Sequence, residues 1–287
     1  MSLLSASGTN GRRAGNEKVR KLTLAALLTA IVVVLALLGS AIHFGTFSIN
    51  LALVPIVIGA ALLGVWYGAW FGFVNAVVIL LSGDAAPFLA DNVFGTIVTV
   101  IAKGVLCGLV SGLIYKLVER FNKYAAVVAA ALICPLVNTG VFLIGCRIFF
   151  WDTLAQWSQG SGTGSTFSFV ITILIGVNFL IEIAINMILA PAIARLLGFS
   201  ENKNAATLVY GVVLDLLGLG FTIFAAVLLS RALRGINPQA VANPVVRYVV
   251  MVSFSVLVLA GGAVLTIIGA VRMKRDADKR KKAEENE

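Results

Sequence analysis

The chain has 287 residues, 60% of them hydrophobic and only 12% charged, with a net charge of +9. That much apolar surface exceeds what one soluble core absorbs, so a soluble globular domain is excluded and the chain reads as a polytopic membrane protein. The basic residues cluster in short loops and at both ends. This positive-inside pattern sets orientation and gives no reason to invoke nucleic acid as a partner.

Several windows exceed the roughly 18–20 apolar residues that cross a bilayer as a helix. The apolar–polar alternation of barrel strands is missing, so the expected fold class is all-α. In chain order, spans are expected at 22–42, 50–64, 66–82, 93–117, 125–148, 168–196, 206–231 and 246–271. The first follows Arg12, Arg13, Lys18, Arg20 and Lys21. It is longer than the about 7–15 residues of a signal-peptide core and is read as a retained helix. The second is short, holds Pro55 and runs into the third through Gly64, as a bent or partial span does. The loop 116–124, the segment 195–204 and the tail 272–287 are basic, whereas 43–49, 83–92 and 149–167 hold no lysine or arginine. With eight spans, both termini are then cytoplasmic. Arg231 and Arg234, at the outer loop 232–245, are the exception. The charged tail reads as a solvated stop-transfer anchor.

The outer segments mix aromatic and polar groups. "HFGTFSIN" supplies His43, Phe44 and Asn50; "SGDAAPFLADN" supplies Asp84, Asp91 and Asn92; the segment 149–167 supplies Trp151 and Trp157 before a Gly/Ser run. They fit either an aromatic belt with ordinary loops or gating loops over an outward-facing pocket. Small residues recur at spacings of four: Ala26 and Ala30, then Gly64, Gly68 and Gly72, then Gly104, Gly108 and Gly112. Each set lies on one helix face where another backbone can approach, either within the bundle or from a partner protein.

Lys103 sits at the middle of the fourth span, where a charge is expensive. Thr96, Thr99 and Cys107 share its face. Asn75, Asn138, Asn178, Glu182 and Asn186 are also intramembrane, and Arg147 lies near the outer end of the fifth span. Such groups face a bundle interior or a water-filled cavity. Two readings stand: a structural Lys103–Glu182 bridge, or a ligand pocket built from Lys103, Thr99, Thr96, Asn138, Arg147, Asn178, Glu182 and Asn75. Cys107, Cys134 and Cys146 lack CxxC spacing and read as packing residues, and the single histidine, His43, leaves no metal or haem site and no cofactor. An intramembrane serine protease needs a mid-bilayer histidine and a metalloprotease needs HExxH; neither is present, so no enzyme is expected.

The basic N-terminus, the Ala26–Ala30 helix, the short polar outer loop and "INLALVPIVIGAALLGVWYGAWFGFVNAVV" together resemble the substrate-binding S component of energy-coupling factor (ECF) vitamin transporters. The resemblance covers about residues 17–198 and includes "AKGVLCGLVSGLIYKL". It implies a six-helix core that binds a vitamin near its outer face, capped by the outer loops, in the plasma membrane of a prokaryote. It also implies a transmembrane coupling subunit that meets Ala26 and Ala30, two cytoplasmic ATPases, and a toppling motion in the bilayer for which smooth glycine surfaces are suited. The chain itself has no Walker A pattern. Residues 1–16 are expected to be a disordered N-terminus, and 17–198 the six-helix domain. Residues 199–272 are an added two-helix extension holding Asp215, and 273–287 a charged tail. A cationic, amide-rich cavity would suit a carboxylated vitamin such as pantothenate, with Lys103 or Arg147 meeting the carboxylate; riboflavin and folate remain open. The competing readings are a stand-alone secondary carrier using a Lys103/Glu182 pair and a membrane scaffold.

Overall fold

The computed structural model describes residues 4–40, 48–161 and 165–199, with scattered positions between 207 and 278. The helices are α1 (Leu4–Ser40), α2 (Leu53–Leu63), α3 (Val65–Ser82), α4 (Ala86–Asp91), α5 (Val93–Val118), α6 (Lys123–Phe149), α7 (Trp151–Gln159), α8 (Thr166–Phe169) and α9 (Gly176–Leu196). A π-helical segment, Val170–Ile175, joins α8 to α9. No strand occurs among the described residues. Within α1, α3, α5, α6 and α9 lie five stretches long and apolar enough to span a membrane. The reason is general: in hydrocarbon every backbone amide must be satisfied within its own segment, which a helix does.

The ends of these helices follow from local chemistry. Asn92 caps α5 by accepting from the Gly95 amide at 2.8 Å, and Asn122 caps α6 by accepting from the Ala125 amide at 2.9 Å. Gly64 breaks α2 from α3 with φ 108°, a value L side chains rarely adopt. The expected second span is therefore a half-length helix. At 1.5 Å per residue α2 is about 16 Å long, too short to cross. Residues 53–60 are buried on every side, placing it at the bundle centre. The helix α1 continues upstream to Leu4, into the stretch expected to be unstructured. Helix propagation from an already formed span is far easier than nucleation, and a Lys21–Glu17 pair at 3.0 Å adds support.

The glycine runs pack against one another inside the chain. A Cβ on Gly72 would meet the Gly104 carbonyl oxygen, and one on Gly108 would meet the Gly68 carbonyl oxygen. Gly112 faces Val65 and Ala60. This corrects the partner-surface reading for Gly68, Gly72, Gly104, Gly108 and Gly112, because the close approach they permit is already taken up by the α3–α5 seam. Gly64 is exposed at the α2–α3 break and meets nothing. Ala26 and Ala30, in contrast, are exposed on α1.

The core packs Leu53, Ile56 and Val57 of α2 against Val32 of α1, Phe71 of α3 and Val127 of α6. The expected spans at 206–231 and 246–271 lie mostly outside the described residues, as do Arg231 and Arg234. Within them, Asp215 accepts a hydrogen bond from Thr266 Oγ1 at 2.9 Å, and Gly211 packs on Thr266.

Candidate substrate-binding site

Four helices bring the polar side chains to one place. Thr96, Thr99 and Lys103 of α5 face Asn75 of α3 and Asn138 of α6, while Asn178 and Glu182 of α9 close the far side. Together they line a cavity with about 110 Å³ of water-accessible space. At ~10–15 Å³ per water position, that is room for several waters or a small solute. Of the eight expected binding residues only Arg147 is elsewhere. It is exposed, with its guanidinium 4.8 Å from the Trp151 ring. Asn186, fully buried, lies below the cavity and donates to the Glu182 backbone carbonyl at 3.1 Å.

The structure also bears on the Lys103–Glu182 bridge. The Lys103 ammonium sits 5.3 Å from the Phe142 ring centroid. Among the described residues the only ion pair is Lys21–Glu17, so Lys103 and Glu182 share the cavity without a direct bridge. Glu182 is held otherwise: its carboxylate accepts from the Asn50 amide at 3.1 Å, with Asn138 beside it in the cavity lining. Asp84 also lines the cavity and accepts from Ser48 Oγ at 2.7 Å. The cavity therefore holds one lysine and two carboxylates, which corrects the expectation of a cationic site. Arg147 points away, and Asp84 turns in.

The segment Ser48–Asn50 thus forms a strap across the cavity, tied by one carboxylate from α9 and one from the α3–α4 turn. Hydrogen bonds to charged groups contribute about 1.5–3 kcal/mol each. Glu182→Ala is therefore expected to raise hydrogen exchange of the Asn50 amide by about 10- to 100-fold. Exchange mass spectrometry of a peptide spanning the strap reads this out, and unchanged protection there would show that the strap is held by other contacts.

Of the remaining outer residues, His43 and Phe44 lie outside the described residues. Asp91 is exposed at the end of α4, and Asn92 serves as the α5 cap. Trp151 carries Arg147, whereas Trp157 packs 5.6 Å from Phe88, a cavity residue. Phe88 also stacks edge-on with Phe142 at 5.7 Å and Phe150 at 4.8 Å, giving the cavity an aromatic wall. The residue reading missed Phe142, although its spacing of four from Asn138 puts both on one helix face. Phe88, Phe150, Phe179 and Ser48 carried no periodic signal.

Comparison with family models supplies the deciding observation. The model described as ECF transporter, substrate-specific component, matches residues 20–194, more than half of the chain. The chain belongs to that family. No curated protein and no solved structure matched. The protein is thus a multi-pass membrane subunit of an ECF transporter and not an enzyme. Substrate-specific components bind small substrates and work with a transmembrane coupling subunit and ATPases. The matched region takes in every transmembrane helix that contributes to the cavity, from Ala36 of α1 to Glu182 of α9.

Proposed function

We propose that this substrate-specific component captures a small carboxylated vitamin, with pantothenate as the leading candidate, at the outer face of a prokaryotic plasma membrane. It then delivers the vitamin inward with a coupling subunit and two ATPases. The observation that carries the substrate class is the unequal service of the charged groups. Glu182 and Asp84 each accept from protein donors, whereas Lys103 makes no hydrogen bond or ion pair among the described residues. A cation in that position calls for an acceptor from the ligand, and a carboxylate makes the strongest such bond. The same facts remove the support for a proton-linked Lys103/Glu182 carrier, since the two groups are not paired.

Loop charges support cytoplasmic termini, which puts the strap and the aromatic wall on the outer side. Exposed Ala26 and Ala30 on α1 support that helix as the coupling contact. We take residues 17–198 as the binding core and 199–272 as an added extension beside it.

The ligand-side test compares pantothenate with its methyl ester on the purified protein by calorimetry. The acid is expected to bind about 100-fold more tightly, the ester having lost the charge that meets Lys103. Equal affinity for acid and ester would refute the carboxylate assignment.

A further inference from the structure

Several polar atoms in the cavity have no protein partner, and their chemistry differs from that of Lys103. Asn75 is fully buried, and among the described residues neither its Nδ2 nor its Oδ1 has a hydrogen-bond partner. Asn138 is 5% exposed and has an unpartnered Oδ1. Thr99 Oγ1 is also buried and unpartnered. Buried polar groups are paired in nearly all folded proteins, so unpaired ones lining a cavity indicate a molecule that completes them.

The kind of atom missing is informative. Asn75 Oδ1 and Asn138 Oδ1 are acceptors and must receive a hydrogen. A carboxylate has none to give. An acid whose remainder is purely hydrocarbon, thioether or unsubstituted aromatic ring would bury these oxygens unsatisfied. The two acceptors belong to α3 and α6, the helices packed on either side of α5, which carries Lys103.

We infer that the ligand is a donor-bearing monocarboxylate, a hydroxy or amido acid whose O–H or N–H groups are read by Asn75 and Asn138. This rests on the carboxylate reading above and narrows it. Asn75 is then a specificity-determining residue: its oxygen accepts from the ligand's donor, and its Nδ2 donates to a carbonyl or hydroxyl of the same ligand.

The test uses the purified full-length chain and four probe acids. Pantothenate and biotin carry hydroxyl or N–H donors; lipoate and nicotinate carry none beyond the carboxyl. One or both of the first pair are expected to bind, with lipoate and nicotinate weaker by about 100-fold or more. Asn75→Leu, close in shape, is expected to weaken the bound acid by about 10-fold or more. Its ligand-free melting temperature should hold or rise, because an unpaired amide has been replaced by an apolar group. A structural role for Asn75 predicts the opposite sign in melting temperature, and unchanged affinity in a folded Asn75→Leu overturns the inference. Tight binding of lipoate or nicotinate that is lost in Lys103→Met overturns the inference while keeping the carboxylate reading. Binding of none of the four overturns both.

Discussion

Lys103→Met is expected to weaken capture of a carboxylated vitamin by about 30-fold at the least and by more than 1,000-fold at the upper end. The range follows from the about 2–5 kcal/mol lost when one partner of a buried charge-assisted pair is removed, at 1.4 kcal/mol per factor of ten. The same substitution should act oppositely on the empty protein. Lys103 lies near the middle of α5, its ammonium facing the Phe142 ring. Placing a lysine at the bilayer centre costs about 2.5–3.5 kcal/mol on insertion scales. Methionine keeps much of the side-chain length and removes that charge, so the ligand-free melting temperature should rise as affinity falls. Calorimetric titration and a thermal-shift series on one preparation measure both. A fall in both would mean that Lys103 is held by the fold itself and that the lost affinity follows from lost structure.

Gly72→Leu should remove the folded protein rather than tune it. Any side chain at position 72 runs into the Gly104 carbonyl, which is backbone and cannot rotate away. The α3–α5 seam would have to open along its length, carrying Gly68 and Gly108 apart as well. Overpacking a well-filled site costs about 1–3 kcal/mol when side chains alone adjust, and more when backbones must move. The expected result is little monodisperse protein in detergent and no ligand binding. Ala26→Leu provides the contrast. Ala26 is exposed, so this variant should fold and bind normally and lose only ATP-driven uptake in cells if α1 meets the coupling subunit. A well-folded Gly72→Leu of wild-type affinity would contradict the seam.

The spans were readable because each is a long apolar run bounded by polar caps. The expected 93–117 and 125–148 became Val93–Val118 and Lys123–Phe149. The face of α5 was readable too, since offsets of four and seven residues from Lys103 rotate about 40° and 20° away from it. Arg147 was misplaced by ignoring the same arithmetic. Nine residues from Asn138 at about 100° each place it on the opposite side of α6, whereas Phe142 is within about 40° of Asn138. Asn186 drifts about 80° from Asn178 and lies two turns lower, which takes it out of the cavity.

Two features were not readable in principle. A Gly-x-x-x-Gly run announces a close approach without naming the helix that makes it. Glu182 looked like the natural counter-ion for Lys103 by depth, but its hydrogen-bond partner is a backbone amide brought in from elsewhere in the fold. The short outer loop gave no sign that its backbone would compete for that carboxylate.

The α3–α5 seam bears on affinity as well as on stability. Asn75 lies three residues beyond Gly72, and Lys103 immediately precedes Gly104, so both polar groups are mounted beside the point where the two backbones touch. Backbone-to-backbone contact has no rotamers to freeze. The spacing between the two helix positions is fixed before any ligand arrives, like the jaws of a set calliper. Association then surrenders little conformational entropy in the protein, and more of the contact energy remains as affinity. A transporter that must collect a scarce nutrient gains from a gauge already set to one molecular length.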